Sequence, residues 1–214
     1  MFNRAFFIFV FALLFVQFAP ASTVNATSRG GEPSPILQAA KEGNLTTVKM
    51  LLAKGTDVDL RDNWNRTLLI IAAQRNDTDM VHLLLSYRPN VNAANKNGIT
   101  ALIAAAQRAN TEAVHMLIQS GAQVNQADQM GWTPLMWAVR RGSLETVQLL
   151  LTHGGDVTLL SRQGINALTL AEKLNASSDI RRILRHAAPS YQPLMPAKPF
   201  IPDNTDTLPF SPHI

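Results

Sequence analysis

Residues 128–158 read DQMGWTPLMWAVRRGSLETVQLLLTHGGDVT, and two short helices are written into them. The Thr133 side chain can accept from an orphan amide at a helix start, and Pro134 falls at the first helical position, where its missing N–H is not needed. The spacing therefore predicts a helix from there to about Arg141, stopped by Gly142. Ser143 caps a second helix in which Val147, Leu150 and Leu151 form one apolar stripe, and Gly154 ends it. Neither helix can hide its apolar face alone, so a chain built this way must bury each unit against neighbouring copies.

A step of 33 residues in either direction finds those copies without an insertion. Val147 aligns with Val48, Val81, Val114 and Ile180, and Leu150 with Leu51, Leu84, Leu117 and Ile183. Leu151 aligns with Leu52, Leu85, Ile118 and Leu184. Small residues recur as Ala39-Ala40, Ala72-Ala73, Ala105-Ala106 and Ala138-Val139, letting helices approach closely. The second-helix cap reads Asn44, Asp77, Asn110 and Ser143, all side chains that accept from backbone amides.

This register resembles the ankyrin repeat, with its β-turn, T-P-L-H helix opening, paired alanines, Gly and V-x-x-L-L second helix. The resemblance implies an all-α solenoid of about five 33-residue helix-turn-helix repeats joined by β-turn hairpin loops, over residues 33–186. The opening box reads Thr133-Pro134-Leu135-Met136, Thr100-Ala101-Leu102-Ile103, Thr67-Leu68-Leu69-Ile70 and Ser34-Pro35-Ile36-Leu37, so an apolar residue replaces the family's histidine. Arg88-Pro89 stands where other copies place the Gly after the second helix, which predicts an irregular turn after Tyr87.

Around the repeats, residues 1–21 read as a secretory signal: Arg4, the apolar run Ala5 to Phe18, and Ala19-Pro20-Ala21 as cleavage site, with Val24-Asn25-Ala26 a second candidate site. That run of 14 residues is short of the roughly 20 that span a bilayer, so a cleaved signal is expected, with a retained anchor the alternative, and no stable span once the signal is removed. Residues 22–32 form a polar spacer. Residues 187–214 hold seven of the twelve prolines, with Pro193, Pro196, Pro199 and Pro202 at a strict spacing of three that suits a polyproline II edge. A disordered tail, a segment folded back on the last repeats and a Pro-rich ligand for a partner are the three readings of that stretch.

Little chemistry is visible. The chain has no cysteine, which removes disulfides, thiol catalysis and Cys-based zinc sites. His82 and His115 share one repeat position and His153 and His186 another, about 8–10 Å apart in each pair, too far for two nitrogens on one zinc. Neither a phosphate loop nor a calcium loop is present, so no cofactor and no enzymatic activity are expected. Asn-x-Ser/Thr triplets begin at Asn25, Asn44, Asn65, Asn76 and Asn175 and would be glycan acceptors in a eukaryotic secretory pathway, but the last four fall at repeat turns or caps, where Asn is favoured for its own backbone chemistry, the preferred reading. The net charge of +4 is too mild to argue for nucleic acid.

In proteins that resemble this one, ligands lie along the β-turn tips and the exposed face of the first helix. Carried over by position, the tips give Trp64, Arg66, Lys96, Met130 and Trp132, and the helix face gives Arg75, Arg108, Arg140 and Arg141. Arg75, Arg108 and Arg141 lie 33 apart and are expected to form a guanidinium ladder, with Trp132 exposed beside it and Trp137 in the core. Trp and Arg together are the composition of protein–protein hot spots, and Arg suits an acidic patch on a partner. Exported bacterial proteins that the chain resembles include immunity proteins against antibacterial toxins and accessory factors for periplasmic peroxide-detoxifying enzymes. The expectation is a periplasmic, non-enzymatic, protein-binding module, monomeric when unbound. A secreted scaffold or host-directed factor is the alternative from another class.

Overall fold

The computed structural model describes residues 34–188, in which ten helices form five antiparallel pairs. The pairs are α1 (Pro35–Glu42) and α2 (Leu45–Ala53), α3 (Leu68–Arg75) and α4 (Thr78–Ser86), and α5 (Ala101–Arg108) and α6 (Thr111–Gln119). They continue with α7 (Pro134–Arg141) and α8 (Leu144–Thr152), and α9 (Ala167–Lys173) and α10 (Ser178–Ala187). The leader, the spacer and residues 189–214 of the Pro-rich segment lie outside the described residues.

Nine of the ten described helices start at a side-chain cap, and α1, after Ser34, does not. Thr67, Thr100 and Thr133 accept from the amides of Ile70, Ile103 and Met136 at 3.2–3.3 Å. Asn44, Asp77 and Asn110 accept from Thr47, Met80 and Ala113 at 3.0 Å, and Ser143 and Ser177 close the same contact at 3.3 Å. Each such cap satisfies one donor that would otherwise be lost at a helix N-terminus. Leu37, Ile70, Ile103 and Met136, in the family's histidine place, are buried and fill space in the core.

First helices stack on one another in the order α1, α3, α5, α7, α9, and second helices stack outside them. Alanines on the first helices let the backbones close up, and Ala40, Ala72, Ala73, Ala105, Ala106 and Ala138 are all fully buried. Val48, Val81, Val114, Val147 and Ile180 make the inner stripe of the second helices, none more than 1% exposed. The result is one continuous apolar core running the length of the stack.

Two hydrogen-bond ladders tie successive repeats together. Asp59, Asn92 and Asn125, 33 apart, each accept from a backbone amide of the next repeat, those of Asn90, Gln123 and Asp156, at 2.8–3.0 Å. At the tips, the amides of Lys96, Gln129 and Arg162 donate to the carbonyls of Trp64, Asn97 and Met130 at 2.9–3.1 Å. Two of these junctions are close: a Cβ on Gly98 would lie 2.7 Å from the Gln129 nitrogen and one on Gly131 3.0 Å from that of Arg162, whereas Asn65 takes the matching left-handed place, φ 61°, at the first.

The turn after Tyr87 is not irregular, which corrects the expectation from Arg88-Pro89. Arg88 takes the left-handed conformation, φ 53°, that Gly55, Gly121 and Gly154 take in the other repeats, and its amide donates to Leu85 at 3.0 Å as theirs do. Pro89 costs only the next bond. Thr56, Ala122 and Gly155 each donate back to the second helix, and proline has no N–H to do so.

Candidate binding surface

Each tip is organised by one side-chain acceptor at a fixed place: Asp62, Asn95, Asp128 and Ser161, again 33 apart. Asp62 accepts from the amides of Trp64 and Arg66, Asn95 from Asn97 and Ile99, Asp128 from Met130 and Trp132, and Ser161 from Gln163 and Ile165. With the tip-to-tip ladder this makes a continuous ledge. Trp64 (65% exposed) and Met130 (51%) stand out from it as large apolar side chains, with exposed Lys96 between them.

Sequence-predicted cations divide into two kinds. Arg66 is half-buried and paired with Asp62 at 2.7 and 2.9 Å, and its remaining amine donates to Gln74 at 3.1 Å. Burial pushes the Asp62 carboxyl up, but the Arg66 side chain, the two tip amides and the Arg66 charge together outweigh it, and the group sits below the ordinary carboxylate value. Lys41 adds a further contact to Asp62 at 3.6 Å. Arg66 is thereby largely neutralised.

Arg75 is spent differently. Its guanidinium reaches back one repeat and donates to the carbonyls of Lys41 and Glu42, the latter at 3.2 Å, closing the C-terminus of α1. Gly43 makes room for it, since a Cβ there would lie 2.6 Å from Nη2. Asn76 and Ala109 carry a Cβ at the matching places beneath Arg108 and Arg141, and neither of these arginines docks on the preceding repeat. The expected three-rung guanidinium ladder is therefore corrected to two rungs plus a structural clamp.

Trp132 and Trp137 exchange their expected places. Trp132 is 9% exposed and lies behind the tip, while Trp137 is half-buried and lines a surface concavity. The repeat register held the signal: Trp132 shares its position with Ile99 and Ile165, and both are partly buried against the core. Trp137 is fixed by its indole N–H, which donates to Asp128 at 3.0 Å, and its ring sits 4.8 Å from that of Trp132. Arg140 lies over both rings, at 5.5 Å from Trp132 and 5.1 Å from Trp137, a cation–π arrangement that holds its charge in place.

Two concavities open on this side. One, of about 320 Å³, is lined by Gln107, Arg108, Trp137, Arg140 and Arg141, and the other, of about 190 Å³, by Trp64, Arg66, Gln74, Asn95, Lys96 and Asn97. On the opposite face His115 and His153 come together edge to face at 6.5 Å, a pair that the repeat spacing did not suggest. Among the described residues no group of three His, Cys, Asp or Glu side chains is placed to hold a metal ion. No helix among them is long and apolar enough to cross a membrane.

Residues 36–128 and 123–192 match the family model described as ankyrin repeats (three copies). The chain belongs to the ankyrin-repeat family. Its paired helices and hydrogen-bonded tips are the local expression of that membership, and ankyrin repeats are protein–protein interaction modules, typically without enzymatic activity. No curated protein matches the chain.

Proposed function

We propose that this ankyrin-repeat protein is exported to the periplasm, where it binds and neutralises another protein through the ledge of tips and the first-helix face, an antibacterial effector toxin being the leading partner. The observation that carries the reading is the uneven use of charge on one side of the stack. Arg66 and Arg75 are consumed internally and Arg140 lies over the two indoles, whereas Arg108 and Arg141 have no hydrogen bond or ion pair among the described residues and line the same concavity as Trp137. Charges left without a partner beside a fixed aromatic ring suit an acidic patch on another protein. A rigid stack also loses little conformational freedom on binding, which favours an inhibitor that occludes a cleft.

Export is supported by the n-region, apolar run and small-residue cleavage site at residues 1–21, and cell fractionation tests it directly. Neutralisation is tested by co-expressing the protein with the product of the adjacent gene in the periplasm. Survival of cells that the neighbour alone kills is the expected outcome. Killing unchanged by co-expression rejects the inhibitor role, and peroxide sensitivity on deletion without any toxin phenotype would move the protein to the accessory-factor class.

A further inference from the structure

The concavity around Trp137 has a shape and charge that say more about what it receives. Arg108 and Arg141 hold the same position on α5 and α7, two helices packed directly on one another. Their attachment points are therefore one interhelix distance apart, about 8–10 Å. Arg140 stands beside Arg141, held over the two indoles. The Asp128 carboxylate, bonded to the Trp137 indole, is buried with both oxygens taken by N–H groups and makes no ion pair with the guanidinium groups.

We infer that this seat takes an acidic segment of the partner protein, lying along the stack in polyproline II form with carboxylates three residues apart. The inference rests on the protein-binding reading above and specifies the ligand of that surface. Spacing decides the conformation. Successive edges of a polyproline II helix repeat every three residues at about 9.3 Å, which matches one repeat of the stack. Among segments with acids two to four residues apart only polyproline II matches: same-face side chains lie about 6.6 Å apart on a strand and about 5–6 Å apart on neighbouring turns of an α-helix, which reaches a comparable span, about 10.5 Å, only at a seven-residue spacing. The exposed edge of Trp137 between the charges offers an apolar contact for residues between the carboxylates. Single-stranded nucleic acid is disfavoured because base stacking needs an open aromatic face, and the Trp137 ring is already packed by Trp132 and covered by Arg140.

The test uses a fluorescent acetyl-(Glu-Pro-Pro)4 peptide, read by anisotropy at low salt, with the intact protein. Binding is expected for this probe and not for acetyl-(Gln-Pro-Pro)4. The double substitution R108Q/R141Q should weaken it about tenfold or more and flatten its salt dependence, while R182Q, which removes one charge from α10, should leave it unchanged. Unaltered far-UV circular dichroism and melting of R108Q/R141Q exclude loss of fold as the cause.

Several results would overturn the inference. An equal loss in R182Q would mean that only the overall field matters. Equal affinity for a peptide with four contiguous Glu would remove the register, and tighter binding of oligothymidylate would give the seat to nucleic acid. Tighter probe binding by D203N/D206N would assign the seat to the chain's own Pro-rich segment, whose aspartates are also three apart. The probe needs no natural partner, so failure to neutralise a toxin leaves this result standing. Retention of the natural partner by R108Q/R141Q would reject the seat alone.

Discussion

The Arg75 clamp predicts a coupling between two residues that sequence alone would treat as unrelated. Gly43→Ala places a methyl group 2.6 Å from the Arg75 guanidinium and does so at φ 79°, where an L-residue is strained. The strain costs roughly 1–2 kcal/mol, less about 0.5 for the entropy glycine loses on folding, or about 1 net. Arg75 is flexible and will swing away, so the clash itself vanishes but its two bonds to the end of α1 are lost. At an exposed site those are worth about 1.5 kcal/mol together. Gly43→Ala should thus cost about 2.5 kcal/mol and Arg75→Ala about 1.5, yet the double variant should also cost about 2.5, because the same bonds cannot be lost twice. The assay is urea unfolding followed by circular dichroism at constant m, with hydrogen exchange of α1 and α2 reporting whether the end repeat opens first. Full additivity, a double variant near 4 kcal/mol, would show that Arg75 does not sit over Gly43.

Three further outcomes follow from the same geometry. Ala109 ends α5 in the left-handed conformation, φ 56°, where Gly43 and Gly142 end α1 and α7, so Ala109→Gly should raise stability by up to about 1 kcal/mol in the same urea assay. Asn110 caps α6 through Ala113 and donates across the repeat boundary to Thr78 at 2.9 Å, so Asn110→Ala should cost about 2 kcal/mol and raise exchange at the start of α6. The Asp62 carboxyl is held below its ordinary value of 3.8 in the fold, so the unfolded chain binds the proton more readily; its contribution is complete above that value and is lost as pH falls through the folded one. Asp62→Asn should therefore destabilise the protein at pH 7, and the difference from the parent chain should narrow as the pH falls below 3.8, measured by thermal melts across that range.

Almost all of the backbone could be read from the repeat register, because caps, glycines and the valine stripe act within a few residues of themselves. Thr133, Pro134 and Ser143 specify helix starts wherever the rest of the chain lies, and the structure places those starts as the spacing predicted. Side-chain roles at the surface were less legible, since they depend on what the next repeat presents. Arg75, Arg108 and Arg141 are equivalent in register, and only the residue at the preceding helix end, Gly43 against Asn76 and Ala109, separates a clamp from two open charges. Trp132 departs from a solvent-facing tip because the fourth residue after the Asp62-type acceptor turns inward, a position held by isoleucine in two other copies.

The same comparison explains why a stack of near-identical modules can have a polarised surface. At the first two repeats the basic side chains answer needs of the fold: Lys41 and Arg66 surround a buried carboxylate, and Arg75 closes a helix end next to the terminal unit. An end repeat has a neighbour on one side only, so stabilising contacts to it have the greatest value there. Repeats in the middle are held from both sides and can leave Arg108 and Arg141 uncommitted without loss of fold. The proposed seat for an acidic ligand therefore falls between α5 and α7, and charge removal at Arg75 or Arg66 should lower stability while leaving such binding intact, the reverse of the pattern proposed for Arg108 and Arg141.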